Sequence, residues 1–327
     1  MNKKPVGVII LNWNGEKLLR DYLHSVVEYT SSEIADVIVA DNGSSDNSRE
    51  FVSDNFPTVK LLTFNENLGF AEGYNRALKE TDYEFTVLLN SDVEVKSDWL
   101  TPLYSFMNTH PEAGACQPKI LSIREPERFE YAGAGGGLLD RWGYPYCRGR
   151  IMSKIETDTG QYDDTARVFW ASGAALMVRN KAYFAVGGLD PSFFAHQEEI
   201  DLCWRMQLSG YQIYAVGSSA VYHLGGGSLH TSDPRKTYLN FRNNLLMLHK
   251  NLPAEKRGKR IFIRRMIDTL AWIKYILTFD FSNAQALLKA HRDYSRMKKG
   301  YPKREGETPD LLRLAPNRNK SIFFLKA

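Results

Sequence analysis

Cysteine is scarce in this chain. Cys116, Cys147 and Cys203 stand far apart with no CxxC spacing, which excludes a zinc ribbon or a disulfide scaffold and suits a reducing, cytoplasmic setting. No GxGxxG follows the first apolar run, so the dinucleotide-binding fingerprint is missing. The apolar part of the C-terminal text Ile261 to Leu277 is interrupted by Asp268 and Lys274 and is too short and too charged to cross a bilayer. At the N-terminus, Val6 to Leu11 stops at Asn12 without a small-residue cleavage site, and so reads as a first strand rather than a signal peptide. Internal repeats and low-complexity tracts are absent as well.

What is present is enough for a large core: 327 residues, 43% of them hydrophobic, room for one large domain plus an appendage or for two domains. The net charge of +4 conceals an asymmetry. Residues 235–327 carry 22 Lys+Arg against 7 Asp+Glu, which leaves 20 against 31 in residues 1–234. A basic tail of this kind suits nucleic acid, anionic lipid, a polyphosphate substrate or a merely solvated helical face. No nucleic-acid recognition motif accompanies it, so nucleic acid is not expected as a partner.

Val6 to Leu11, Val37 to Ala40, Lys60 to Phe64 and Phe85 to Leu89 are short runs rich in β-branched or aromatic residues, each opening into Asn, Asp or Gly. Between them, Glu16 to Tyr29 and Gly69 to Lys79 have helical spacing. Leu18, Tyr22, Ser25 and Val26 share a side of the first; Phe70, Tyr74, Ala77 and Leu78 share one of the second. Alternating strand and helix predicts an α/β fold with a mostly parallel sheet flanked by helices, binding ligands where strand carboxyl ends meet. Ala132 to Gly137 and Gly143 to Arg150 read as loop over that sheet. Leu176 to Val178 and Tyr214 to Val221 read as strands, and Ile200 to Leu208 as a helix stopped by Gly210. Beyond Tyr238 the chain is helical, and its apolar residues flanked by Arg264, Arg265, Lys289 and Arg292 suit either an interfacial segment or packing on the sheet domain. The stretch after Tyr301 is polar and proline-containing, the composition of a loosely ordered tail.

Four polar groups sit at predicted strand ends. Asn90-Ser91-Asp92 follows Phe85 to Leu89, and a carboxylate there can hold a divalent cation that bridges phosphates, although a turn aspartate would also be ordinary. His223 ends another strand beside Gly225-Gly226-Gly227, where a neutral imidazole can complete a metal shell or satisfy the fold. Glu198 and Glu199 open a helix; crowding and burial would raise one pKa and make Glu199 a general base, while acids at that place also complement the helix dipole. Asp41 to Asp46, with Asn12-Trp13-Asn14-Gly15, offers acceptors and an aromatic for a base and ribose, using residues that turns also favour. Together they describe a nucleotide-sugar site.

The ordered set VIILNWNG, VADNGSSD, NENLGFAEGYN, LLNSDVEV, SGAALMV, VGGLDPSFFAHQEEIDLCWR and VYHLGGGS resembles glycosyltransferase family 2, the inverting enzymes of GT-A fold, and within it the bacterial rhamnosyltransferase-like members. The resemblance runs from about Pro5 to about His249. It implies a GT-A domain over 1–249, and the residues beyond it, 250–327, read from their composition as a basic helical extension that could lie on the inner face of the cytoplasmic membrane. It implies that Asp41 contacts the nucleobase; that Asn65, Asn67, Gly69 and Asn75 shape the nucleotide pocket; that Asp92 binds Mg2+ or Mn2+ with His223 sharing the ion; and that the acid pair holds the base. The donor would be a nucleoside-diphosphate sugar and the acceptor a glycan or lipid-linked intermediate.

Two positions depart from the family pattern. Asn90 stands where the metal motif often has its first aspartate, and Glu198-Glu199 stands where Glu-Asp is usual. Register favours Glu199 as the base. A sugar-1-phosphate nucleotidyltransferase would instead show a Gly-rich, Arg-containing loop after the first strand, where this chain has Asn12-Trp13-Asn14-Gly15. A carbohydrate- or nucleotide-sugar-binding protein without turnover is the non-enzymatic alternative.

Overall fold

The computed structural model describes residues 3–225 and 233–301. Gly226 and Gly227, and the tail after Tyr301 expected to be loosely ordered, lie outside the described residues. The first half alternates strand and helix: β1 (Val6–Asn12), α1 (Glu16–Tyr29), β2 (Ala35–Asp41), α2 (Ser48–Asn55), β3 (Lys60–Thr63), α3 (Gly69–Lys79), β4 (Phe85–Leu89), the two-residue β5 (Val93–Glu94) and α4 (Leu100–Thr109). The long strand β6 (Ala113–Ser122) follows, then four short strands, β7 (Gly137–Leu139), β8 (Pro145–Cys147), β9 (Arg150–Ile151) and β10 (Lys154–Ile155). After β11 (Thr165–Val168), β12 (Ala175–Arg179), α5 (Asn180–Ala185), α6 (Glu198–Leu208) and β13 (Gln212–His223), the chain ends in helices α7 (Pro234–Asn251), α8 (Ala254–Leu277) and α9 (Phe281–Met297).

Nine strands form one sheet in the order β11-β13-β6-β12-β4-β1-β2-β3, with β5 added on β13. The parallel arrangement expected from the sequence holds across β3, β2, β1 and β4. Beyond β4 the sheet is mixed, because β12 enters antiparallel to both β4 and β6. Alternate side chains divide the core into two layers. Ile9 and Leu88 face the side packed by Tyr74 and Leu78 of α3 and Trp204 of α6. Val8, Ile10, Val87 and Leu89 face the side packed by α1 and α4. Covering both faces explains why every residue of β4 is buried.

Three sequence expectations are corrected. The buried stripe of α1 is Leu19, Leu23 and Val26, one residue round from the expected face, so Leu18 and Tyr22 sit at its edge. The glycine-rich stretch is not simply loop: β7 to β10 make a second antiparallel sheet in the order β10-β9-β8-β7. The helix expected from Ile261 begins at Ala254. Gly210 does stop α6, with φ +91° in the region that favours glycine.

Candidate active site

The strand register assembles the site. In β1, Asn12 lies opposite Asp41 of β2, and Ile10 lies opposite Leu89 of β4, so three strand exits open side by side. On the other half, His223 of β13 pairs with Val93 of β5, the residue after Asp92. His223 Nε2 is thereby brought 3.1 Å from Asp92 Oδ1 and 3.4 Å from Asn90 Nδ2. Both Asp92 and His223 are buried. On the far side of the ring, Nδ1 lies 3.5 Å from Oε2 of Glu130, within ion-pair range but longer than a well-formed hydrogen bond. Burial alone would lower the His223 pKa; the Asp92 and Glu130 carboxylates outweigh it and push it up to about 10.

A divalent cation fits these donors. An aspartate oxygen and an imidazole nitrogen stand 3.1 Å apart, near enough to share an ion once Nε2 gives up its proton, and among the described residues no third His, Cys, Asp or Glu completes a metal cluster with them. Diphosphate oxygens and waters would therefore fill most of the coordination shell, as they commonly do around Mg2+. Glu130, which also accepts from the Ala132 amide, gives the imidazole the kind of carboxylate support that orients metal-binding histidines. Nothing local in the sequence marks Glu130.

The acid pair reaches the same rim because β12 is antiparallel. Its entry lies beside the exit of β4: the Asn90 amide donates to Ala174 O at 3.0 Å. A Cβ added at neighbouring Gly173 would stand 3.8 Å from Cβ of Glu199. Glu199 is partly exposed, Glu198 buried, and the Oε2 of each has no hydrogen-bond partner among the described residues. Shielding from water raises the Glu199 pKa to about 7 against the opposing pull of backbone N–H groups in its helix turn. Glu198 is raised well above the ordinary range, first by burial and then by the charge of Glu199. Asp201 belongs to the scaffold, bonded to Arg205, Lys250 and Asn251.

The loop that delivers this pair is held in left-handed backbone conformations, with φ +65° at Phe194, +69° at His196 and +70° at Gln197. Such geometry in non-glycine residues costs energy and persists where neighbours impose it. Helix α7 supplies the clamp. Asn243 Nδ2 donates to the carbonyls of Phe193, Ala195 and His196 at 3.0, 2.9 and 2.8 Å, and Arg242 Nη2 to those of Ser192 and Phe193. Sequence reading missed both residues, because a polar face on a helix ordinarily means solvent.

The donor-side residues divide into two groups. Asn12 Nδ2 donates to Asp41 Oδ2 and Ser44 Oγ, both at 3.2 Å, while Asn14 accepts from the Ser45 amide at 2.7 Å, so the first two strand-end loops are tied together. Asp41 is fully buried; burial opposes its charge, but bonds from Ser44, Arg49 and Asn12 hold its pKa below the usual carboxylate range. Trp13 is 55% exposed beside them. Asn67 Oδ1 accepts from Asn42 Nδ2 and the Gly69 amide, and Gly69, at φ +77°, lets the Phe194 ring approach to 3.0 Å of where a Cβ would be. Asn65 is exposed on the same loop, and Ser91 is partly exposed at the mouth. Asn75 is not turned to the cleft: its amide bridges Leu189 N and O and accepts from the Tyr183 hydroxyl, which makes it a tie between α3 and the turn after α5.

Comparison with known proteins bears on the family and the fold. The sequence model described as Glycosyl transferase family 2 matches residues 7–179. The chain is 27% identical over 233 residues, 66% of its own length and 75% of the relative's, to the N-acetylglucosaminyl-diphospho-decaprenol L-rhamnosyltransferase of Mycobacterium tuberculosis. Among solved structures, GalNAc-T7 with UDP, GalNAc and Mn2+ superimposes with a TM-score of 0.60 at 17% identity, over 78% of this chain and 49% of that one. The mannosyltransferase PcManGT of Pyrobaculum calidifontis, solved with GDP-Man and Mn2+, gives 0.55 at 14% identity over 92% and 77%. The shared architecture is the GT-A fold.

Proposed function

The chain belongs to glycosyl transferase family 2, and from that premise we propose that it moves a hexose-type sugar from a nucleoside diphosphate to a hydroxyl of a growing glycan or lipid-linked acceptor, inverting the anomeric carbon, in cell-surface polysaccharide synthesis. The observation that carries this reading is the Asp92–His223 pair at the exit of β4, which is bonded through Asn90 to Ala174 next to Gly173, against which lies a glutamate whose pKa is raised to about 7.

Transfer requires that charge building on the departing diphosphate be neutralised, which a divalent cation, Mg2+ or Mn2+, supplies when bound. Asp92 and His223 would hold that ion, with Asn90 and Ser91 at its border. Glu199 accepts the proton of the acceptor hydroxyl; a pKa of about 7 leaves roughly half of it ionised at neutral pH and makes that half more basic than an ordinary carboxylate. Its Oε2 lacks a hydrogen-bond partner among the described residues, so no competing bond must break first. Glu198, kept neutral by burial and by its neighbour's charge, adds no second anion beside the attacking oxygen. On the donor side, Trp13 offers a flat apolar face for the base, and Asp41, with Asn12 and Asn14, fixes the loops beneath it. Three buried free thiols favour a reducing, cytoplasmic location. We divide the chain near residue 250, where α7 ends and the helical extension begins.

A thermal-shift panel of nucleotide sugars with Mn2+ or Mg2+ tests the reading, because a ligand that binds only the folded chain raises its midpoint as affinity rises. A shift for at least one donor that requires the metal is expected, and it should vanish in Asp92→Ala. No shift with any donor under either metal would end the proposal.

A further inference from the structure

Helix α8 is built inside out. Towards the protein it buries Ile261 together with Arg264 and Asp268. Those two charges bond to each other at 2.9 Å, and Asp268 accepts from His291 of α9 at 3.1 Å. Away from the protein it displays Phe262, Met266, Leu270, Ile273 and Leu277, spaced four, four, three and four residues apart and 42–73% exposed. That spacing makes one continuous stripe. A helix packed on a water-soluble core has the opposite arrangement. Phe279 and Phe281, in the turn to α9, add two more exposed rings.

Cations border the stripe. Lys259 lies one turn before Phe262 on the same face, and Arg265 and Lys274 flank the two sides; all three are exposed. Residues 254–301 hold 12 Lys+Arg against 4 Asp+Glu. The stripe also runs into a cavity of about 560 Å³ among α7, α8 and α9, which shares Phe262 and Met266 and is lined by Arg257, Arg265 and Lys298 with no described carboxylate.

We propose that this face docks on an anionic lipid bilayer: the Phe262 to Leu277 stripe, with Phe279 and Phe281, enters the boundary between headgroups and acyl chains, and the Arg257, Arg265 and Lys298 cavity receives a lipid phosphate. Apolar residues ringed by cations are the composition of an interfacial helix. Among the described residues no helix is long and apolar enough to cross a membrane, so the helix lies in the plane of the surface. A second copy of the chain fits less well, since it would set one strongly cationic surface against another. None of these residues lies at the strand-end cleft, so the inference stands apart from the transfer chemistry.

Flotation of the full chain with vesicles tests it. Co-flotation with phosphatidylglycerol–phosphatidylcholine vesicles is expected, with partition roughly tenfold or more weaker on phosphatidylcholine alone. Met266→Ser with Leu270→Ser and Ile273→Ser, and separately Arg265→Glu with Lys298→Glu, should each lower anionic partition by about tenfold. Thermal midpoint and metal-dependent donor hydrolysis should stay unchanged in both; should the serine triple unfold, the charge pair alone decides. Equal flotation on the two vesicle types, or folded variants that float as well as the parent, would overturn the proposal. So would a concentration-dependent dimer, seen by sedimentation, that the serine triple abolishes.

Discussion

Glu130 stands behind His223, its Oε2 3.5 Å from Nδ1, while Nε2 on the opposite edge of the ring faces Asp92. At that distance the carboxylate acts on the ring by charge, favouring a proton on Nδ1 and leaving Nε2 as the nitrogen that would turn to a cation. Glu130→Gln should weaken Mn2+ binding in the presence of nucleoside diphosphate by roughly 10–100-fold, read by calorimetric titration. An unchanged affinity would show that the ring is positioned by packing alone.

Replacing the base should separate the two glutamates. Glu199→Gln is expected to lower kcat by about 10²–10⁴-fold, with the donor KM nearly unaltered, as follows when an interaction is made only in the transition state. Glu198→Gln should keep most of its turnover. In the parent, kcat/KM should climb with pH through about 7, the value to which burial raises Glu199, since the base must be ionised to act. A large loss in Glu198→Gln instead would exchange the two roles.

The same burial has a cost in stability, with a definite sign. Glu198 is held well above its ordinary pKa in the folded chain, by burial first and Glu199 second, whereas the unfolded chain ionises in the normal range. The folded state therefore binds the proton more tightly, and stability present below about pH 4 is lost as pH rises. Glu198→Gln should raise the thermal midpoint at pH 8 by about 2–4 °C and leave it nearly unchanged at pH 4. An equal effect at both pH values would mean that Glu198 carries no such penalty.

Asn75 and Asn243 make contrasting predictions. Asn75 joins α3 to Leu189 and Tyr183, so Asn75→Ala should cost about 2–3 kcal/mol in denaturant unfolding, with donor KM within about threefold of the parent for the enzyme that remains folded. Asn243 holds three carbonyls of the left-handed loop before the acid pair. Asn243→Ala should release that loop and lower kcat by ~10-fold or more, since small displacements of a reacting group are costly. A donor-affinity defect in Asn75→Ala would return that residue to the nucleotide pocket.

Much of this architecture was legible from local pattern. The limits of α1, α3 and β4 coincide with the spans expected from helical spacing and an apolar run, because each is long enough for its period to repeat. The position of His223 at a strand end was legible for the same reason. Strand β6 was not, since Gln117, Pro118 and Lys119 interrupt its apolar text. Its interior tolerates them because Gln117 satisfies the backbone around Gly133 and Ser172, and Lys119 pairs with Asp158 and Asp163. The second sheet escaped because strands of two or three residues carry no period. Glu130, Arg242 and Asn243 escaped because their partners are nearly fifty to ninety residues away in the chain, and only the folded topology brings them near.

The reversed direction of β12 draws the two halves of the cleft from different parts of the chain. The strand-end loops around Asn12, Asp41 and Asp92 come from the first 92 residues, and the glutamates are delivered by a later segment that meets them along the β12–β4 ladder, at Ala174, and where Phe194 packs on Gly69. Under the proposed roles, substitutions in the later segment away from those seams should change acceptor choice before donor affinity.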